Sequence, residues 1–133
     1  MLPLLRAAAQ AAVPNSTLKD PRNFWLGAIG VRNDGVTVSA KNGAVSFSAS
    51  VQTYHLNPNS HAEGRLLRKL GKHGIVYVAR VSRKDRSYAM ARPCQMCQIL
   101  LRSAQVQKVY YTIDNEHYGI YFPSSNTDRI VEC

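Results

Sequence analysis

His61-Ala62-Glu63, followed further along by Pro93-Cys94-Gln95-Met96-Cys97, contains the residues best suited to chemistry in this chain. One imidazole and two thiolates are zinc ligands. Three protein ligands leave a fourth zinc position open, which separates catalytic from closed structural sites. Cys94 and Cys97 are three apart and share one face of a first helical turn. Pro93 suits a helix start, because its missing N–H would have no partner there. The partial positive charge of a helix N-terminus favours thiolates, the form zinc binds. His61 opens a second helix. Glu63 is placed beside the metal but off its ligand direction, so its expected role is to carry protons between water and a substrate. Two alternatives stay open. Ser60 and Glu63 have capping-box spacing, and His55, His73 or His117 could close a purely structural site.

These residues need a scaffold. Residues 4–12 are Ala-rich and helix-forming. Phe24 to Arg32 reads as a buried strand, Asn33-Asp34-Gly35 as a hairpin turn, and Val36 to Ala40 as the returning strand. Residues 45–60 are rich in Ser and Asn and read as an irregular loop. The helix opened by His61 should turn Leu66, Leu67 and Leu70 inward and stop at Gly71 or Gly74. Ile75 to Val81 is a β-branched strand, Arg83-Lys84-Asp85-Arg86 a charged turn, and Tyr88-Ala89-Met90 an extended lead into Pro93. A third helix should run from about Cys94 to Ala104 with Ile99, Leu100 and Leu101 inward. Val106 to Ile113 and Gly119 to Phe122 are strands, and the tail beyond Pro123 reads as irregular. The link from Asp114 to Gly119 is too short for a crossover helix, which makes the last strand antiparallel. The order implies an α/β fold with a mixed central sheet of about five strands covered by helices.

The chain of 133 residues fits a single domain with a real core. No apolar run reaches the roughly 20 residues of a membrane span. The start lacks a basic stretch before its apolar part, which is broken by Pro3 and Arg6, so a first helix is expected rather than a targeting peptide. Three cysteines, two of them at metal spacing, argue against a disulfide framework and for a reducing compartment, the cytoplasm. The net charge is +9, and nine of the seventeen basic residues lie between Arg65 and Arg92. That run points to a surface for phosphate, on a nucleotide or a nucleic acid; a solvated basic face is the alternative.

His-x-Glu with Pro-Cys-x-x-Cys downstream resembles the signature of the cytidine deaminase-like superfamily. The resemblance implies a three-layer α/β/α sandwich with both zinc-bearing helices side by side. It implies a single zinc-dependent deaminase domain over 1–133 that converts cytosine to uracil with release of ammonia. His61, Cys94 and Cys97 would hold Zn2+ and Glu63 would be the catalytic acid and base. Asn42, just after the hairpin, lies where the family binds the substrate sugar, and the backbone N–H of Ala62 would meet the ring carbonyl. Candidates for the aromatic walls of the base pocket are Phe24, Trp25, Phe47, Tyr54, Tyr88 and Tyr111, with Tyr111 set beside Asn42, Ala62 and Arg92 as a substrate contact. Arg92, next to Pro93, could reach a phosphate as a substrate contact; a solvated arginine is the alternative.

Free cytidine deaminases usually carry Cys where this chain has His61; the His form resembles deoxycytidylate, tRNA adenosine, guanine and polynucleotide cytosine deaminases. The first expectation is a free (deoxy)cytidine nucleotide or nucleoside as substrate. The alternative is a polynucleotide cytosine or adenine deaminase acting on single-stranded DNA, RNA or tRNA. A module that binds nucleic acid or zinc without chemistry is a third reading, against which an intact Glu63 stands. A homo-oligomer is expected, because the superfamily often completes its pockets across subunits, and no membrane association is.

Overall fold

The computed structural model describes residues 1–13, 23–41 and 62–133. Helix α1 (Pro3–Ala12) begins at its proline and buries Leu5, Ala8, Ala9 and Ala12 along one stripe. Strands β1 (Phe24–Val31) and β2 (Thr37–Lys41) form the expected hairpin. Its turn is closed by Arg32 N–H donating to Val36 O at 2.8 Å, while Asp34 Oδ1 accepts from Val36 N at 3.1 Å. Helix α2 (Ala62–Leu70) ends at Gly71 and buries Leu66 and Leu70, with Leu67 packed beside them. Then follow β3 (Ile75–Ser82), the two-residue β4 (Tyr88–Ala89), helix α3 (Gln95–Ser103), β5 (Lys108–Thr112), β6 (His117–Phe122) and β7 (Thr127–Glu132).

Among the described residues seven strands make one mixed sheet in the order β2-β1-β3-β5-β6-β7, with β4 paired to β3. Among the described strands only β3 and β5 are parallel neighbours; β6 is antiparallel to β5, as the short link required. Side chains alternate across the sheet. Trp25, Ile29, Ala79 and Val81 therefore face α1. Ala28, Val76, Val78, Val109, Tyr111 and Tyr121 face the opposite side, together with Leu66 and Leu70 of α2 and Leu101 of α3. The result is the expected α/β/α layering, with α2 and α3 sharing one face.

Contact between α1 and β1 is close enough to require glycine. A Cβ on Gly27 would strike the carbonyl oxygen of Ala8 and the backbone of Ala12. Backbone cannot step aside as a side-chain tip can. Gly27→Ala is expected to destabilise the protein by about 1–3 kcal/mol, read as a lower midpoint in urea unfolding; an unchanged midpoint would mean that α1 is not seated this way.

Three expectations need correction. The tail beyond Pro123 is not irregular: β7 pairs with β6 over all six of its residues, from His117↔Glu132 to Phe122↔Thr127. With β4 and β7 added, the described residues place seven strands in the sheet rather than about five. Ile99 does not face the core. Three consecutive residues span too much of a helix to share one buried stripe, and Cys97 and Leu101 occupy it, leaving Ile99 56% exposed. The loop expected over 45–60, and with it Ser60, Phe47, Tyr54 and His55, lies outside the described residues.

Candidate functional site

Two helices bring the zinc-ligand motifs together. After α2 a four-residue connection, 71–74, leads into β3; after α3 an equal one, 104–107, leads into β5. Since β3 and β5 are parallel and paired from Ile75↔Lys108 onward, both helices return antiparallel to them and run side by side. Their C-terminal ends are tied together: His73 N–H donates to Ala104 O at 3.3 Å, Gln107 N–H to Gly74 O at 2.9 Å, and Gln107 Nε2 to His73 O at 2.9 Å. Each helix has nine residues. Two equal helices joined at one end and running the same way also have their N-termini at a common end.

That common end is the carboxyl end of β3 and β5, where ligands gather in open α/β sheets. The segment entering α3 is pinned there by Ala91 N–H donating to Thr112 O at 2.8 Å. Cys94 is the N-cap of α3, with extended backbone, and its carbonyl accepts from Gln98 N at 2.8 Å. Cys94 is exposed and Cys97, one turn on, is buried. Pro93 precedes the cap rather than opening the helix; it is buried, and its carbonyl accepts from Gln98 Nε2 at 2.8 Å. The two thiols thus sit at a helix N-terminus, one turn apart, as a thiolate pair requires.

The other members of the site fall on the same end. Ala62 and Glu63 lie in the first turn of α2, but their side chains and all of His61 are outside the described residues. Lys41 ends β2 opposite Gly27, so the chain leaves the sheet toward this end just before Asn42, itself outside the described residues. Phe24 begins β1 opposite Ser82. It lies on the α2–α3 face by alternation and is 42% exposed, whereas Trp25 is a core residue of the other face. Among the described residues no group of three or more metal ligands is assembled. Donor chemistry nevertheless fits zinc: two thiols at one helix start, and the His61 imidazole immediately before the other.

Arg92 and Tyr111 meet on a residue that sequence reasoning passed over. Arg92 Nε donates to Asp128 Oδ2 at 3.0 Å and Nη2 to Oδ1 at 2.8 Å, while the Tyr111 hydroxyl donates to Asp128 Oδ2 at 2.7 Å. Tyr111 is buried on the α2–α3 face, its ring packed over Gly119, where a Cβ would collide with it. The Arg92 guanidinium also lies 5.6 Å from the Tyr121 ring centre, and the Tyr121 hydroxyl donates to Asn126 at 2.9 Å. Asp128 on β7 therefore anchors the segment that enters Cys94. Asp128 has no local signal in the sequence, because its strand forms only by pairing with β6.

The electrostatics follow from these contacts. The Arg92 hydrogen bond holds the Asp128 carboxyl below its ordinary range despite some burial. Burial first, and then the Asp128 hydrogen bond, push Tyr111 up to about 12. A depressed carboxylate contributes stability above its unfolded pKa of about 3.9 and loses it as pH falls through the folded value. A raised phenol contributes stability that is full below about pH 10 and lost as pH rises through its folded value. Asp128→Asn is expected to cost about 1 kcal/mol at pH 7, since both partners are partly exposed. The difference from wild type should begin to shrink below about pH 4 and be lost only once the pH has fallen through the depressed folded value. Denaturant titrations at a series of pH values from neutral into acid check this; a gap that does not shrink as the pH falls below about 4 would mean the ion pair is not its source.

Residues 4–113 match the family model described as the cytidine and deoxycytidylate deaminase zinc-binding region. Among solved structures, the chain is similar to a mutant cytidine deaminase from Mycobacterium tuberculosis, with 26% identity over 82% of this chain and 81% of that one and a TM-score of 0.49. No curated protein matches the chain.

Proposed function

The chain belongs to the family of the cytidine and deoxycytidylate deaminase zinc-binding region, and we propose that it is a hydrolytic deaminase converting cytosine to uracil on a free (deoxy)cytidine nucleotide or nucleoside. The observation that carries the reading is Cys94 and Cys97 at the N-terminus of α3, at the sheet end where α2 begins with Ala62-Glu63. His61, Cys94 and Cys97 would hold Zn2+. When bound, the metal lowers the pKa of water toward about 7 and makes hydroxide available at neutral pH.

The remaining work falls to the chain. Glu63 takes the proton from water, delivers it to the ring nitrogen, and returns a proton to the departing amine, so that cytosine and water become uracil and ammonia. The Ala62 N–H donates to the ring carbonyl, and the Asn42 amide, which both donates and accepts, holds a sugar hydroxyl. Phe24, exposed on the correct face, is the aromatic wall with most structural support. Arg92 and Tyr111 are read as holding the Cys94 segment through Asp128 rather than touching substrate. The proposal includes a cytoplasmic homo-oligomer. No described helix is long and apolar enough to cross a membrane.

Ammonia release from deoxycytidine, deoxycytidylate and a cytosine-containing single-stranded oligonucleotide tests the reading. Turnover of either free compound supports it. Turnover of the oligonucleotide alone would replace it with polynucleotide editing, a second reading favoured by the basic β3–β4 turn.

A further inference from the structure

Between β1 and the β3–β4 turn lies a cleft of about 570 Å3, lined by Asn23, Phe24, Ser82, Arg83 and Lys84. We propose that it is a phosphate-binding subsite, so that the enzyme prefers a phosphorylated substrate. The proposal rests on the deaminase reading for the identity of the base, and on the turn itself for the phosphate.

The turn is built to hold cations. Arg83 N–H donates to Asn23 O at 2.9 Å, Ser82 N–H to Ser87 O at 2.9 Å, and Arg86 N–H to Ser82 O at 2.9 Å. Lys84 N–H donates to Ser82 Oγ at 3.2 Å. Backbone bonds thus fix the turn to both strands, while the Arg83 and Lys84 side chains are exposed. The one carboxylate in the turn, Asp85, is engaged by Ser87 N at 3.0 Å and Ser87 Oγ at 2.7 Å. Among the described residues Arg80, Arg83 and Lys84 form no ion pair.

Arg80 adds a third cation. Its guanidinium sits 4.4 Å from the centre of the Phe24 ring. A guanidinium stacked on an aromatic ring is held in plane with its donor fork free for an oxyanion. Arg80, Ser82 and Phe24 all project to the α2–α3 face by alternation, at the end of the sheet where Cys94 and Glu63 lie. A base stacked near Phe24 would thereby place its sugar phosphate within the reach of these cations. Arg92, the other cation beside the site, faces Asp128 with two donors. Either the 5′-phosphate of a free nucleotide or the phosphate of a strand has the required chemistry.

The test compares zinc-loaded wild type with the double variant Arg83→Ala/Lys84→Ala and with Lys84→Glu. Titrations with deoxyuridine, deoxyuridylate and a single-stranded oligodeoxyuridylate give affinities independently of turnover. Kinetics give kcat/KM for deoxycytidine and deoxycytidylate. In wild type the phosphorylated ligand is expected to bind about 10- to 100-fold more tightly than the nucleoside, the worth of one or two charge-assisted hydrogen bonds. Both variants should lower that ratio about 10-fold or more. A change confined to the deoxyuridylate ratio identifies a free nucleotide as the source; a change confined to the oligonucleotide, with steep salt dependence, identifies a strand. A ratio near one in wild type, or the same ratio in the variants, overturns the subsite. A protein that binds deoxyuridylate through this turn but deaminates nothing would instead overturn the deaminase reading.

Discussion

Glu63→Gln is expected to keep one zinc per chain and to lose turnover by about 10²- to 10⁴-fold. Glutamine preserves the size of the side chain and one accepting oxygen, but its amide cannot take up a proton at neutral pH. Glu63 lies in the first turn of α2, two residues after His61, the residue expected to ligate the metal. Its two possible roles predict different results. A proton carrier can be lost without cost to the metal. A residue that only closes a capping box would tolerate the change, since Gln serves there as well as Glu, and would leave both stability and kcat close to wild type. Elemental analysis, unfolding and kcat measured on one preparation separate them. Loss of zinc would make Glu63 a ligand and remove its proposed role.

Cys97→Ala should have the largest effect on stability. Cys97 is wholly buried on the inner stripe of α3, in line with Leu101. Its replacement removes a proposed metal ligand and leaves a small gap under a helix whose entry also depends on Asp128. Zinc content is expected to fall below about one tenth of an equivalent, since two remaining ligands bind weakly. Metal present at about 1,000 times its dissociation constant stabilises the folded state by about 4 kcal/mol. Its loss should lower the melting temperature on the order of 10 °C. A chelator should produce a similar fall in wild type and almost none in Cys97→Ala. His61→Ala should match Cys97→Ala in metal loss. If either variant retains stoichiometric zinc, the ligand set is wrong.

Most elements near the site were legible because local signals agreed with packing. Asn33-Asp34-Gly35 marked the hairpin, Gly71 the end of α2, and the β-branched run from Ile75 marked β3. The short step from Asp114 forced β6 to be antiparallel, and it is. Legibility ended where a residue's role depends on partners far along the chain. β7 carries Asp128, Arg129, Ile130, Val131 and Glu132, in which apolar residues adjoin rather than alternate. Nothing local marks it as a strand, and it forms because β6 offers an edge. Arg92 and Tyr111 were recognised as residues near the chemistry, but their common partner on that strand was not. Phe24 and Trp25 could not be separated by composition; alternation on β1 sends one to the α2–α3 face and the other into the core beneath α1.

The most direct test of the central claim is deamination of deoxycytidylate by zinc-loaded protein in ¹⁸O-labelled water, with the product weighed by mass spectrometry. Deoxyuridylate carrying one labelled oxygen, with equimolar ammonia and no product from Glu63→Gln above about 1% of wild type, is the predicted result. Zinc-loaded wild type that releases no ammonia from this compound, from deoxycytidine or from a cytosine-containing strand would contradict the account.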